Sequence, residues 1–332
     1  MKKILITGAN GFIGSFLVEK ALEKGWETWA GVRKTSSREY LQDPRINFIH
    51  LNYSDKGILE RQIQSHVAKH GQWDYIIHNA GITKHVSKYD FYIINNRYTA
   101  NFAEALQDVE CIPKKFVLMS SLSALFPEVS LYGLSKLEAE QYVQFCSHLP
   151  YIILRPTGVY GPRERDYLMM LKTVQSGFAV TAGFRTQRLT FVYVTDLVQA
   201  AFLALESDLK KKIYTVSDGD VYTDSEYIKL IKKILGKKKL LRIKVPLAVL
   251  YIVSCFLELF FKIFGRPSTL NRDKYKIMRH RDWTCSNQPI TQDLGFQPEY
   301  DLEKGLRTSI EWYKQNGWLS DKTPDEILTN QS

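Results

Sequence analysis

Cysteine is scarce in this sequence, and no pattern gives the cysteines a structural role. The 332 residues include only Cys111, Cys146, Cys255 and Cys285, which are far apart and show no Cys-x-x-Cys or Cys/His spacing. We therefore exclude a disulfide framework and a zinc site, and we expect no bound metal. Such cysteine usage is typical of a reducing compartment, so we expect a cytoplasmic protein.

Repeats, low-complexity segments and a long N-terminal apolar run are also lacking. Hydrophobic residues make up 45% of the chain, as in ordinary globular proteins, which excludes disordered and collagen-like classes. A signal peptide needs a longer apolar run than Ile4–Ile6 and a small-residue cleavage site. We interpret Lys3–Thr7 instead as a buried first strand.

Acidic residues are nearly absent from one long segment. Residues 229–281 contain 15 lysines and arginines but only Glu258 and Asp273 as acids, whereas the whole chain has a net charge of +10. The remaining residues are therefore slightly acidic overall. This uneven distribution argues against a nucleic-acid-binding protein, which would carry a generally positive surface.

Short apolar runs alternate with longer amphipathic segments. The predicted strands are Lys3–Thr7, Glu27–Val32, Ile46–His50, Trp73–His78, Lys115–Ser120, Tyr151–Arg155 and Ile213–Val216. The predicted helices are Phe12–Lys24, Gly57–His70, Asp90–Gln107, Tyr132–Phe145, Tyr167–Ser176, Asp196–Leu205, Tyr222–Leu235 and Asp301–Asn316. This alternation predicts an α/β protein with a Rossmann-type, doubly wound parallel sheet, whose ligands bind at the carboxyl ends of the strands.

The pattern also suggests a division of the chain. We predict a dinucleotide-binding domain over 1–162, with 188–217 returning to it. A smaller C-terminal substrate domain would comprise 163–187 and 218–319, and 320–332 reads as a polar tail.

A glycine-rich turn joins the first predicted strand to the first predicted helix. Glycines at 8, 11 and 14 allow a tight turn, close approach of a pyrophosphate and close packing of helix on strand. The helix N-terminus would offer N–H groups to the phosphates. We therefore predict a dinucleotide site, whose loop residues are Gly8, Asn10, Gly11, Phe12, Ile13 and Gly14.

The end of the second predicted strand indicates which dinucleotide binds. An acid there would accept the ribose 2′-hydroxyl of NAD, but the chain has Arg33 and Lys34 and no acid before Glu39. A guanidinium suits the additional phosphate of NADP. We predict NADP(H) in preference to NAD(H); the alternative is that both cations are solvated loop charges.

A tyrosine and a lysine are spaced to share one helix face. Tyr132 and Lys136 are four residues apart near the start of a predicted helix. A neighbouring ammonium is expected to stabilise the phenolate and to allow proton transfer near neutral pH. A hydroxyl at the end of the preceding strand, from one of Ser120, Ser121 and Ser123, would hold a substrate oxygen beside the tyrosine.

With these motifs the chain resembles the extended short-chain dehydrogenase/reductase family, which includes NAD-dependent epimerase/dehydratases, over about residues 2–319. The matching segments are Thr7–Gly14, His78–Gly81, Asn95, Ser120–Ser121, Tyr132 with Lys136, Arg155–Pro162, Phe191–Asp196, Leu302–Leu306 and Trp312–Tyr313. The resemblance also implies a homodimer.

The resemblance implies a role for individual residues. Tyr132 would be the general acid/base, Ser121 would polarise the substrate oxygen, and Lys136 would bind the nicotinamide ribose. Further cofactor contacts are implied near the nicotinamide, near the adenine and after the fourth strand. They are Pro156, Thr157, Asn52, Tyr53, Asn79, Ala80 and Gly81.

Several departures from the family pattern narrow the expected reaction. Dehydratases carry an Asp-Glu pair where this chain has Leu122 and Ser123, so elimination of water is not expected. Sugar-nucleotide enzymes often have arginine at the position of Leu189, and here Arg188 is one residue out of register. The segment between Ser121 and Tyr132 is also short, so the pocket is either more open or completed by another segment.

The C-terminal half resembles a subgroup with 3β-hydroxysteroid dehydrogenases and dihydroflavonol reductases. The similarity lies in Val32-Arg33, in the apolar run Val245–Phe264 and in Arg266–Arg272. Within 246–265 only Glu258 and Lys262 are charged. We weigh three alternatives for this run: a buried helix, a membrane-spanning helix, or an interfacial helix on the inner face of an anionic membrane, with the contact spanning 237–266.

We interpret the chain as an NAD(P)-dependent oxidoreductase that interconverts a secondary alcohol and a ketone, on a small and lipophilic substrate that is steroid-like or isoprenoid. One alternative is a sugar-nucleotide epimerase with tightly retained NAD. Another, of a different class, is a dinucleotide-binding or sensing protein without turnover.

Overall fold

The computed structural model describes residues 1–84, 86–265, 268 and 270–320. Most of the predicted polar tail, 321–332, lies outside the described residues, as do three positions of the Arg266–Arg272 segment.

The described residues form fourteen strands. In chain order they are β1 Lys3–Thr7, β2 Glu27–Gly31, β3 Asn47–Ile49, β4 Tyr75–His78, β5 Lys115–Met119, β6 Tyr151–Pro156, β7 Gly158–Tyr160, β8 Phe178–Ala182, β9 Arg188–Leu189, β10 Phe191–Tyr193, β11 Lys212–Val216, β12 Tyr222–Thr223, β13 Leu241–Val245 and β14 Asp282–Trp283.

Twelve α-helices accompany these strands. They are α1 Phe12–Glu23, α2 Lys56–His70, α3 Tyr89–Phe91, α4 Tyr98–Asp108, α5 Leu131–Phe145, α6 Asp166–Gln175, α7 Val194–Glu206, α8 Asp224–Ile234, α9 Leu247–Ile263, α10 Arg272–Arg279, α11 Gln288–Leu294 and α12 Leu302–Gln315. A π-helical turn, Tyr92–Arg97, joins α3 to α4, and a 3₁₀ helix, Leu122–Leu125, precedes α5.

Seven of the strands form one parallel sheet, as the sequence predicts. Their order is β11-β6-β5-β4-β1-β2-β3, so the chain crosses over between β3 and β4. In the register of this sheet, Thr7 lies beside Gly31 on one side and His78 on the other. The carboxyl ends of β1, β2 and β4 therefore meet at one edge, where a doubly wound sheet binds its ligands.

Both faces of the sheet are covered by helices, which explains why its strands are apolar throughout. Ile4 and Ile6 point into a core that α1 and α7 complete, while Leu5, between them, points into a second core with α2, α4 and α5. The predicted Rossmann-type fold is confirmed.

A third core belongs to the segments that follow β6. It gathers the rings of Tyr160, Phe191 and Tyr313 with α6, α8 and α12. Within 188–217, α7 and β11 pack with the large sheet, whereas β9 pairs with β12 and β14. The domain limits given above stay a prediction.

Elements of two kinds escaped the sequence analysis. Two-residue and three-residue strands such as β9 and β14 are too short to show a period, and they are fixed by their partners in space. The parallel pair β8 and β13 was missed because β13 lies in the lysine-rich segment, where alternating cations mask the apolar positions.

The apolar run Pro246–Phe264 is not a buried helix. Of the 17 residues of α9, only Leu250 and Ser254 are buried. The buried-helix alternative is therefore wrong, because the described residues cover only a small part of the surface of α9. Among the described residues, no helix is long and apolar enough to cross a membrane.

Candidate functional site

The glycine-rich turn has the geometry that a bound pyrophosphate requires. Gly8 adopts a φ of +63°, and a Cβ there would lie 2.8 Å from the carbonyl oxygen of Asn79. A Cβ at Gly14 would lie 2.1 Å from the carbonyl oxygen of Gly8, so both positions demand glycine. Helix α1 begins after Gly11 with no side-chain cap and no acid in its first turn. The N–H groups of Phe12 and Ile13 can thus face an anion.

A hydroxyl ties the phosphate loop to the end of β4. Thr7 Oγ1 accepts hydrogen bonds from the N–H groups of Asn79 (3.1 Å) and Ala80 (3.0 Å), which occupy both of its lone pairs. Its proton must therefore go to Nδ1 of His78, 3.0 Å away. Nε2 of His78 then carries the ring proton and donates to Thr99 Oγ1 at 3.1 Å.

Burial keeps this histidine neutral. The ring of His78 is inaccessible between β4 and α4, and burial, reinforced by the charge of Lys136, lowers its pKa to about 3. A neutral ring with one donor and one acceptor matches its two hydroxyl partners. His78 is thus a structural link rather than an acid or base.

The chain of hydrogen bonds continues to the predicted catalytic helix. Thr99 donates to the backbone oxygen of Asn95 (2.7 Å), which lies in the π-helical turn. The Asn95 amide donates to Ser135 Oγ at 3.1 Å, and Ser135 donates to the backbone oxygen of Tyr132 at 2.8 Å. The π-helical turn, a feature common at functional sites, aims Asn95 at this helix.

The first turn of α5 is capped from two sides. Ser130 is the N-cap and accepts from the N–H of Gly133 at 2.9 Å. From α10, far along the chain, the buried carboxylate of Asp273 accepts from the N–H groups of Leu131 (2.7 Å) and Tyr132 (3.5 Å). A carboxylate at a helix N-terminus is favoured by the helix dipole. Asp273 therefore positions the backbone that carries Tyr132.

The structure brings the three predicted catalytic side chains together. Ser121 follows β5, and its hydroxyl lies beside the Tyr132 side chain and acts to lower the pKa of Tyr132. The ring of Tyr132 also packs on Phe91, with centroids 5.7 Å apart. The Lys136 ammonium donates to the backbone oxygen of Met119 at 3.0 Å. All three groups therefore lie at the carboxyl end of β5, next to the phosphate loop.

The electrostatics of Tyr132 differ from the sequence expectation. We expected a neighbouring ammonium to stabilise its phenolate, but burial raises the pKa of Tyr132, and only the hydrogen bond to Ser121 acts in the opposite direction. Lys136 points to Met119 instead. In this arrangement Tyr132 is a neutral phenol that can donate a proton.

Lys136 is a buried cation close to the predicted cofactor segment. A Cβ at Gly81 would lie 3.2 Å from its Nζ atom and 3.0 Å from Asn95 Oδ1. Burial lowers the pKa of Lys136 to about 8, whereas the Glu140 carboxylate, one turn away, raises it. The ammonium and the Asn79–Gly81 backbone thus border the same space.

The two neighbouring serines have different partners. Ser120 donates to the fully buried Glu140, which also accepts a bifurcated hydrogen bond from Arg155 Nε, at 2.9 and 3.1 Å, and a further one from Arg155 Nη2. This ion pair satisfies a carboxylate that burial would otherwise destabilise. Ser120 is therefore part of the support between β6 and α5, which leaves Ser121 as the hydroxyl beside Tyr132.

The residues predicted for cofactor choice are free to bind an anion. Arg33 and Lys34 follow β2 and are exposed, and within the described part of the chain neither side chain has a charged partner. The backbone turns there, with the N–H of Ser36 donating to the carbonyl of Arg33 at 3.0 Å. Arg33 lies at the strand edge where the adenosine ribose of a dinucleotide binds in this fold.

The other predicted cofactor residues also lie along this edge, although packing holds several of them. Asn52 accepts from Ser54 at 2.7 Å, and the ring of Tyr53 packs edge-on against Phe102, 5.4 Å between centroids. Pro156 ends β6, and Thr157 donates to the backbone oxygen of Thr190 at 2.7 Å. Their contacts with a cofactor stay a prediction.

Another segment completes the shortened loop between Ser121 and Tyr132. Phe126, in this loop, packs against His280 (4.7 Å between centroids) and Trp283 (5.4 Å). The same stretch of chain supplies Asp273. Of the two expectations for this loop, the structure therefore favours completion by a distant segment.

Sequence reasoning missed three residues that shape the site. Thr99 and Ser135 are ordinary helix residues by pattern, and only their partners reveal a role. Asp273 gave a signal, because it is one of two acids in a strongly basic segment, but its contact with α5 spans 142 residues. No local pattern encodes a contact of that length.

Comparison with known proteins identifies the family. The sequence model of the NAD dependent epimerase/dehydratase family matches residues 4–217. The chain belongs to this family. The resemblance noted from the motifs, to the extended short-chain dehydrogenases/reductases, is thereby confirmed. The family consists of enzymes that use a nicotinamide dinucleotide, and the fit of the Gly8–Gly14 turn agrees with such a cofactor.

Individual relatives of the family carry different names. The chain is 26% identical over 318 residues to "Ceramide reductase" of Caulobacter vibrioides, covering 95% of this chain and 96% of that one. It is 24% identical to "Putative UDP-glucose 4-epimerase" of Methanocaldococcus jannaschii, covering 94% and 99%. The crystal structure of a Thermotoga maritima UDP-glucose 4-epimerase superimposes with a TM-score of 0.72, 23% identity and coverage of 95% and 99%. That likeness supports the fold.

The buried ammonium gives a prediction for stability against pH. The folded chain releases the Lys136 proton near pH 8 and the unfolded chain near its ordinary value of 10.5. Stability therefore rises with pH between these values and is lost as the pH falls towards 8. We expect the unfolding free energy of the cofactor-free wild type, relative to Lys136→Met, to increase by on the order of 2 kcal/mol from pH 8 to 10.5.

Urea unfolding at several pH values measures this difference. The control is Lys136→Arg, which keeps a positive charge throughout and should show no such rise relative to Lys136→Met. The neighbouring ionisable groups, Glu140 and His78, are the same in all three proteins. A difference between wild type and Lys136→Met that stays constant over this range would contradict the assignment.

Proposed function

We propose that this chain is an NADP(H)-dependent oxidoreductase that interconverts a secondary alcohol and a ketone on a long-chain lipid. The observation that carries the reaction type is the Tyr132 phenol, which has the Ser121 hydroxyl beside it and a buried Lys136 one turn further along α5, at the strand ends that face the phosphate loop. A phenol, a second hydroxyl and an ammonium in one place suit the protonation of a carbonyl oxygen next to a bound dinucleotide.

The residues of the chain have distinct tasks in this reaction. When bound, the nicotinamide supplies or accepts the hydride at the substrate carbon. Ser121 and Tyr132 both donate hydrogen bonds to the carbonyl oxygen, and Tyr132 transfers its proton to that oxygen as the alcohol forms. The Ser121 hydroxyl acts to lower the pKa of Tyr132 and so favours the phenolate left behind. The Lys136 ammonium would hold the cofactor ribose. In the opposite direction, Tyr132 accepts the proton.

The departures at three positions favour oxidation and reduction over other chemistry of the family. Leu122 and Ser123 supply no carboxyl pair for the removal of water. The half-buried Leu189 supplies no cation for a sugar diphosphate, and Arg188 instead forms an exposed ion pair with Asp282 at 3.1 Å. A diphosphate has therefore no arginine at the position where many relatives place one.

A lipid substrate is supported by two independent observations. The relative named ceramide reductase aligns along almost the whole of both chains. In this chain, the segment that completes the site and caps α5 through Asp273 follows the apolar helix α9. A ceramide is a long-chain amide with a secondary alcohol, which matches a reaction between alcohol and ketone. The steroid-like and isoprenoid expectations share the same apolar character.

A sugar-nucleotide epimerase is the second candidate. The similarity to the putative UDP-glucose 4-epimerase over 94% of the chain favours it. An epimerase retains its cofactor tightly, because it returns the hydride to the same substrate. Nucleotide that remains bound after desalting would favour this alternative, whereas its loss favours an oxidoreductase.

A dinucleotide-binding protein without turnover is the third alternative. It is less well supported than an enzyme, because Ser121, Tyr132 and Lys136 are all present at the site.

The proton donor is tested by Tyr132→Phe. We expect kcat for NADPH oxidation with the ketone form of a ceramide to fall by about 10²- to 10⁴-fold, since the phenol proton is lost while the ring remains. The decrease in NADPH absorbance measures the rate. The matched control is Tyr142→Phe on the same helix, whose hydroxyl donates to Glu104. Equal activity of the two variants would contradict the role of Tyr132.

The cofactor preference is tested by Arg33→Ser. A charge-assisted hydrogen bond to the ribose phosphate contributes about 1.5–3 kcal/mol, so NADPH should bind roughly 10- to 100-fold more weakly while NADH binding changes little. Titration calorimetry gives both dissociation constants. Arg307→Ser, which removes an exposed guanidinium on α12, is the control. Tighter binding of NADH than of NADPH by the wild type would overturn the preference.

A further inference from the structure

The solvent-facing side of α9 is apolar, the reverse of an ordinary surface helix. Apart from Tyr251, its exposed large residues recur at intervals of three and four and therefore lie on one face. They are Val249, Ile252, Val253, Phe256, Leu259, Phe260 and Ile263. Phe256 is 66% exposed and Ile263 is 74% exposed. We call this set the α9 face.

An apolar surface of this size is rare on a protein that is surrounded by water. Strand β13 leads into α9 through Pro246, and its Leu241 and Ile243 are also exposed, beside Phe178 and Val180 of β8. The rings of the α9 face contact other rings at this end of the helix: Phe260 lies 6.3 Å from Phe256 and 5.1 Å from Phe264 between centroids. The face therefore has the composition of a contact surface.

The charge around the α9 face indicates the kind of partner. Lys238, Lys239, Lys244 and Lys262 are exposed, and none of them forms an ion pair with another described residue. The only acid in α9, Glu258, is neutralised by Arg272 at 2.9 and 3.0 Å. The segment 229–281 therefore carries a large net positive charge next to the α9 face.

An anionic bilayer matches both properties at once. Apolar side chains enter the boundary between headgroups and acyl chains, while lysines at the rim attract anionic headgroups. At 17 residues, α9 is suited to lie in the plane of the interface rather than to cross it. We propose that the α9 face and its lysines are a docking surface for an anionic membrane.

The docking surface is connected to the catalytic helix. Helix α10 is joined to α9 by the Arg272–Glu258 ion pair and by the rings of Tyr251 and Tyr275, 5.2 Å apart. From α10, Asp273 reaches the first turn of α5. Docking through α9 would thus be linked to the first turn of α5, which carries Tyr132. The proposal goes beyond the proposed reaction and does not depend on it.

The test is cosedimentation of the full chain with vesicles of phosphatidylcholine, alone or mixed with phosphatidylglycerol. We expect binding to the mixed vesicles that weakens at high salt, because screening acts on the lysines. Phe256→Glu with Ile263→Glu should weaken binding by more than about tenfold. The control is Phe145→Glu on α5, where an equally exposed ring, 79% accessible, lies outside the α9 face.

The substitutions fall on exposed positions, so the variants are expected to melt like the wild type. Hydrogen exchange provides a second measurement, with protection by vesicles expected at 247–264. Absence of wild-type binding to mixed vesicles would overturn the proposal. The proposal would also be overturned if the α9 variants bound the vesicles as tightly as the wild type does. The same holds if the substitutions changed the oligomeric mass measured by light scattering but left vesicle binding unchanged. That last result would make the face an interface between copies of this chain.

Discussion

One buried chain of hydrogen bonds fixes the relative positions of the phosphate loop and the catalytic helix. Because both lone pairs of the Thr7 hydroxyl are occupied by backbone N–H groups, its proton goes to His78, and the other ring nitrogen donates to Thr99. The chain reaches Tyr132 through Asn95 and Ser135. A charged histidine would break this order, so the burial that keeps its pKa low also preserves the site.

A second connection joins the catalytic helix to the basic, apolar segment. Asp273 caps α5 from α10, and α10 is held to α9 by the ion pair between Arg272 and Glu258. Asp273 therefore attaches this segment to α5, whereas Glu258 forms its ion pair with Arg272 inside the segment. The cations of this segment that have no ion-pair partner remain available to a binding partner. The segment supplies the whole positive excess of the chain, because the other residues are slightly acidic overall.

Much of the fold could be predicted from the sequence, because periodicity and glycine spacing are local. The strands of the large sheet, the Gly8–Gly14 turn and the Tyr132/Lys136 pair needed no tertiary information. The electrostatics could not be predicted in this way, since the pKa of Tyr132 depends on burial and on Ser121. Nor could the exposure of α9, because an apolar helix has the same sequence pattern whether it is buried in protein or faces outward.

The fate of the hydride distinguishes a lipid oxidoreductase from a sugar-nucleotide epimerase. The cofactor-loaded protein is given NADPH deuterated at nicotinamide C4, together with the ketone form of a ceramide or with a UDP-sugar. The account predicts a lipid alcohol one mass unit heavier, with stoichiometric formation of NADP⁺, and no change in the sugar. Inversion of the sugar without net oxidation of the cofactor, and no deuterium in the lipid, would contradict it.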